Sequence, residues 1–101
     1  MSEEALRSGT EERKKALAEI PEWIEVENRD AISRKFVFAN FDDAWVWMGK
    51  VAAVAAAEDH HPEWFNVYNR VEVTLSTHVY NGLSVRDIKL AKACDQFFKE
   101  R

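Results

Sequence analysis

Residues 64–77, WFNVYNRVEVTLST, decide the fold, because they read as one antiparallel hairpin. Val71, Val73, Leu75 and Thr77 alternate with Glu72, Thr74, Ser76 and His78, giving the second strand an apolar and a polar face. Trp64 to Tyr68 forms the first strand and Asn69-Arg70 supplies the turn. So clean an alternation predicts a sheet covered by helices on one face only.

Upstream, Trp23 to Glu27 alternates apolar and polar, and Asn28-Arg29-Asp30 carries turn chemistry. Ile32, Arg34, Phe36 and Phe38 then share one face of a strand, with Ser33, Lys35 and Val37 on the other. A second hairpin follows from this pattern. Thr10 before Glu11 and Glu12 opens a first helix, which must stop by Pro21. Asn40, with Asp43 three residues later, opens a second helix from Phe41 to Glu58. Ser84 and Asp87 form a capping box for a third, whose buried stripe is Leu90, Ala91, Cys94, Phe97 and Phe98. The order is α-β-β-α-β-β-α. It specifies an α+β fold, a two-layer sandwich of a four-stranded antiparallel sheet with three helices on one face. The 101 residues make one domain, 1–101, with 1–9 expected to be a flexible N-terminus.

The second helix carries a further message. Phe41, Ala44, Trp45, Met48, Val51, Ala52 and Ala55 form one apolar stripe, expected to face the sheet. The other side bears Val46, Trp47, Ala53, Val54 and Ala57, relieved mainly by Asp43 and Lys50. A helix apolar nearly all round is buried on two sides, which predicts self-association.

Composition excludes several functions. The net charge is −4, and the basic runs Arg13-Lys14-Lys15 and Arg34-Lys35 read as solvated faces, so direct nucleic-acid binding is not expected. Cys94, the single cysteine, sits on the core stripe and allows no internal disulfide. The N-terminus is polar and acidic, unlike a signal peptide, and the run Val51–Ala57 is too short to span a membrane. A cytoplasmic protein able to diffuse into the nucleus is the expectation.

Three histidines carry the candidate chemistry. His60 and His61 precede Pro62 at a helix-to-strand junction, and His78 ends a strand on its polar face. Histidine titrates near neutrality and serves as acid or base. Taken alone, the pair also fits an ordinary surface loop, or a zinc site completed by His78 and by Glu58 or Asp59. No serine elbow or glycine-rich phosphate loop is present.

The stretch EDHHPEWFNVYNRVEVTLSTH, Glu58 to His78, resembles the pterin-4a-carbinolamine dehydratase family. NGLSVRDIKLA, Asn81 to Ala91, continues the likeness, as do Trp23 and the segment Arg29-Asp30-Ala31-Ile32. The resemblance runs from about Glu22 to Phe98 and implies four antiparallel strands backed by three helices. It implies dimers that extend the sheet and tetramers formed through the second helix. The implied reaction is dehydration of 4a-hydroxytetrahydrobiopterin to quinonoid dihydrobiopterin, which recycles the pterin of aromatic amino-acid hydroxylases without metal or organic cofactor. His60 and His78 would be the acid–base pair, and His61 would chiefly bind substrate. Trp23, Asp59, Pro62 and Arg86 would support the pterin site, with Asp59 orienting an imidazole. Many relatives carry glutamate four residues before the first histidine. Here that position is Ala56, so Glu58 is a candidate replacement. Animal relatives also act as dimerisation cofactors of a homeodomain transcription factor. The alternative reading is therefore a protein-binding module gripping a partner through Asp43, Trp47, Lys50 and Val54.

Overall fold

A computed structural model describes residues 5–101. In order, the elements are α1 (Glu11–Ala18), β1 (Ile24–Glu25), β2 (Ile32–Val37), α2 (Phe41–Glu58), β3 (Glu63–Val67), β4 (Arg70–Leu75), a 3₁₀ turn (His78–Tyr80) and α3 (Val85–Glu100). The expected α+β order is the one observed. The strands form a single antiparallel sheet in the order β1-β2-β4-β3. No helix among the described residues is long and apolar enough to cross a membrane.

Local chemistry sets the helix starts. Thr10 Oγ1 accepts the Arg13 amide at 3.2 Å, and Asn40 Oδ1 accepts the Asp43 amide at 2.8 Å. At α3 the Ser84 side chain and Asp87 close a full capping box. The second hairpin turns one residue earlier than the sequence suggested. Val67 pairs with Arg70, leaving Tyr68 and Asn69 as the turn, with Tyr68 left-handed at φ 50°. Asn66 makes this possible by donating to the carbonyls of Tyr68 and Arg70.

Val71, Val73 and Leu75 of β4 and Ile32 and Phe36 of β2 are fully buried beneath the helices. Ring contacts gather on Phe36, whose centroid lies 4.5 Å from that of Trp47 and 5.1 Å from that of Phe98. Arg34 shares the covered face by laying its guanidinium over Phe36 and bonding Asp95 at 2.7 Å.

Three expectations need correction. On α2 the buried flank carries Trp47, 2% exposed, whereas Trp45 is 61% exposed and Phe41 also faces outward. Trp47 wins because it packs against Phe36, Phe38 and Trp64 and its indole N–H finds the Cys94 carbonyl at 3.1 Å. The exposed apolar side is instead Phe41, Trp45 and Val46, with Phe41 and Trp45 stacked at 6.0 Å. Second, Arg13 is not solvated: it is buried, with Nη1 on the Leu6 carbonyl and 2.7 Å from Asp30, and Nη2 on Glu25. Third, part of the stretch 1–9 is docked. Ala5 bridges Ser84, and Leu6 is buried with its amide on the Leu83 carbonyl. Residues 1–4 lie outside the described residues.

Trp47→Ala removes both the ring packing and the tie to α3, and should cost about 3–5 kcal/mol in urea unfolding. A loss below about 1 kcal/mol would contradict the assignment of this flank to the core.

Candidate active site

The site begins where α2 ends. Asp59 adopts the left-handed conformation (φ 52°), with its amide on Ala56 and the His60 amide on the Ala55 carbonyl. This is a Schellman motif, and it satisfies the last carbonyls of the helix while swinging the next residue inward. Arg86 reinforces the end, its Nη2 donating to the carbonyls of Glu58 and Asp59 at 2.7 and 2.9 Å. His60 therefore enters the protein as a buried side chain, while His61 stays exposed.

His60 meets a carboxylate that also caps α3. Its Nε2 lies 2.6 Å from Asp87 Oδ1, and Asp87 is fully buried. The other oxygen, Oδ2, accepts the Thr77 hydroxyl at 2.8 Å and the Ser84 amide at 2.9 Å. Thr77 and Ser84 hydroxyls are themselves 2.5 Å apart. A buried carboxylate is tolerated only with such partners, and the N-terminus of α3 favours its charge. An ionised carboxylate can only accept, so the proton of this contact belongs on His60 Nε2. Nδ1 is then the nitrogen available for chemistry.

The three histidines belong to one end of the sheet. β3 and β4 pair Glu63 with Thr74, and continuing that register sets His60 level with Thr77 and His61 level with Ser76. His78 follows Thr77 directly, in the exposed 3₁₀ turn and not in the strand itself. The turn is closed by the Thr77 amide on Gly82 and the Gly82 amide on Thr77, at 2.8 and 3.3 Å. Arg29 forks onto both oxygens of Glu63 at 2.8 Å, holding that carboxyl below its usual range by hydrogen bonding and pinning the segment after Pro62.

The supporting residues fall into two groups. Arg86 and Glu58 line a cavity of about 100 Å³ with Val54, His60, Lys89 and Leu90. That volume is far below the roughly 300–1,000 Å³ of ordinary ligand pockets, so this cavity alone does not enclose a ligand of ordinary size. Pro62 is half-buried between the histidines and β3. Asp59 contributes its backbone to the helix end, and the carboxylate on His60 comes from Asp87 instead. Trp23 packs edge-on against Phe36 and donates to Asp95, which lies about 12 Å along α3 from Asp87 at 1.5 Å per residue. In this chain it is a core aromatic. Glu58 sits 3.6 Å from Lys89, and Ala56 is exposed.

Cys94 has no role here. Burial, with Asp95 adding to it, pushes its thiol up to about 12, which leaves it protonated in the core. Among the described residues no group of three His, Cys, Asp or Glu side chains converges as metal ligands.

A family model described as Pterin 4 alpha carbinolamine dehydratase matches residues 7–97. The chain belongs to this family. It is 57% identical over 86 residues to a protein of Novosphingobium aromaticivorans, covering 85% of this chain and 90% of that one. A Bradyrhizobium diazoefficiens protein is 52% identical over 95 residues, covering 94% and 95%. Both are provisionally named pterin-4-alpha-carbinolamine dehydratases. A crystal structure from Brucella melitensis, titled a transcriptional coactivator/pterin dehydratase, superposes with a TM-score of 0.87 at 42% identity. It covers 93% of this chain and 98% of its own.

The turn that carries His78 leans on Gly82, where a Cβ would overlap the Asp30 carboxylate that faces Arg13. Gly82→Ala should therefore loosen the Arg13–Asp30 pair, cost about 1–3 kcal/mol in thermal unfolding and shift the His78 ring resonances. Unchanged stability with unmoved His78 signals would contradict this packing.

Proposed function

We propose that the protein dehydrates 4a-hydroxytetrahydrobiopterin to quinonoid dihydrobiopterin, with His60 and His78 as the proton-transfer groups. The observation that carries this reading is the fixed His60–Asp87 pair at the sheet end that also bears His61 and His78, in a chain of the dehydratase family. The chemistry is a simple exchange. The C4a–O bond breaks as the hydroxyl takes a proton and leaves as water. The N5 proton departs to a base, and the N5–C4a double bond closes. One histidine donates and another accepts, so the balance needs no redox partner. His61, exposed beside them, is suited to holding the pterin. Glu58 and Arg86 edge the cavity next to His60 and are suited to the polar rim of the ring. With alanine at position 56, Glu58 is the nearest carboxylate in sequence to take over that role.

Self-association accompanies this function. The stacked Phe41–Trp45 pair and Val46 leave an apolar face on α2, beside the small residues Gly49, Ala52, Ala53 and Ala56. β3 is an edge strand with exposed Phe65 and Val67. Homodimers joined at that edge and paired into tetramers through α2 would cover both surfaces. The coactivator role in the Brucella title belongs to that protein. For a protein-binding role here, the surface to examine is centred on Trp45, since Trp47 is in the core.

Two experiments test these readings. Substrate generated by an aromatic amino-acid hydroxylase should lose water faster with the protein present, as followed by product absorbance. His60→Ala and His78→Ala should each lower turnover by about 10²–10⁴-fold while the far-UV spectrum stays native. A wild-type rate equal to the spontaneous one would refute the activity. Separately, Trp45→Glu should lower the mass found by sedimentation equilibrium, and an unchanged mass would remove α2 from the interface.

A further inference from the structure

We infer that Thr77 is a positioning residue that orients both proton-transfer histidines at once, His60 through Asp87 and His78 through the backbone. The inference rests on the dehydratase reading above and adds a residue that the histidine motif does not include. Thr77 is 1% exposed and lies two residues past β4 on the side that points into the core, where a valine or leucine would be the ordinary occupant. Its hydroxyl is fully engaged. One contact reaches Asp87 Oδ2 at 2.8 Å and the other Ser84 Oγ at 2.5 Å.

The directions of these bonds follow from elementary bookkeeping. Asp87 only accepts, so the single hydroxyl proton of Thr77 goes to Oδ2. The Ser84–Thr77 contact must then be donated by Ser84, whose own oxygen accepts the Arg86 amide at 3.1 Å. Together with the Ser84 amide, Thr77 occupies Oδ2 and leaves Oδ1 aimed at His60 Nε2. Nε2 is thereby the protonated nitrogen, and Nδ1 holds the lone pair. Meanwhile the Thr77 backbone closes the turn of the next residue. Its carbonyl accepts the amides of Tyr80 and Gly82 and its amide donates to Gly82. The side chain of one residue thus sets one histidine, and its main chain sets the other.

Thr77→Val keeps the shape and removes the hydroxyl, while Thr77→Ser keeps the hydroxyl. Imidazole ¹⁵N NMR of the wild-type protein should show His60 in its neutral form as the Nε2–H tautomer, with that proton protected from exchange. In Thr77→Val the protection should be lost and the tautomers should mix. kcat should fall about 10–100-fold, the usual effect of removing an outer partner of a functional imidazole, with KM nearly unchanged. Thr77→Ser should restore most of both. A valine variant with full kcat and an unaltered His60 signal would overturn the inference, and so would an Nδ1–H tautomer in the wild type. If the valine variant does not fold, the wild-type tautomer and Thr77→Ala decide it by the same signals. The NMR signals involve no substrate, so a wild-type protein that fails to dehydrate would defeat the function without deciding the tautomer.

Discussion

Asp87 is a carboxyl group with no access to water, and much of the site follows from that constraint. A lone buried carboxylate is costly, so each oxygen must be met by donors fixed in place. The donors come from three separate parts of the chain: the segment after α2, the end of β4 and the start of α3. Satisfying one carboxylate therefore fixes where three elements meet. It also leaves a histidine held by one nitrogen with the other to spare. The bonds that meet this structural demand also set the His60 geometry that the proposed dehydration would use.

The rest of the fold serves to deliver those donors. Trp47, bonded to the Cys94 carbonyl and packed among tilted aromatic rings, fixes α2 against α3 near the C-terminal half of the latter. Arg86, clasping the last carbonyls of α2, fixes the same two helices at the other end. Between these ties the exit of α2 has little freedom, and the left-handed Asp59 turns His60 toward Asp87. Arg13 and Asp30 do similar service beneath the Thr77–Gly82 turn, where a Cβ at position 82 would displace the Asp30 side chain. The exposed histidines are thus carried by short segments whose ends are tied down, and not by loose loops.

Much of this was legible in the sequence. Alternation over Val71–Thr77 and the caps at Thr10, Asn40 and Ser84 are local signals, and each has a direct structural counterpart. The position of the histidine pair at the end of a helix was equally local. What could not be read was decided by partners distant in the chain. Trp45 and Trp47 flank a shared stripe of Ala44, Met48, Val51 and Ala55, so periodicity leaves both flanks eligible. Only the Cys94 carbonyl and the rings of β2 select Trp47. Asp87 reads as a helix cap, but a cap uses one carboxylate oxygen and says nothing about the second. Thr77 reads as a core-facing strand residue; it does face the core, just beyond β4, and alternation says nothing about its hydroxyl. Arg13 stood in a basic run, and nothing local distinguishes a buried arginine from its solvated neighbours.

In the proposed reaction, Asp87 leaves His60 Nδ1 as the nitrogen that meets the substrate. A crystal structure with a bound dihydropterin tests this most directly. It should find the pterin on the open surface between His61 and His78, with a pterin ring nitrogen about 2.6–3.2 Å from His60 Nδ1. The His60–Asp87 contact should stay intact. A pterin bound away from the histidines, for example in the groove between α1 and α3 lined by Leu6, Lys15 and Lys92, would contradict the account. So would a His60 that releases Asp87 to present Nε2.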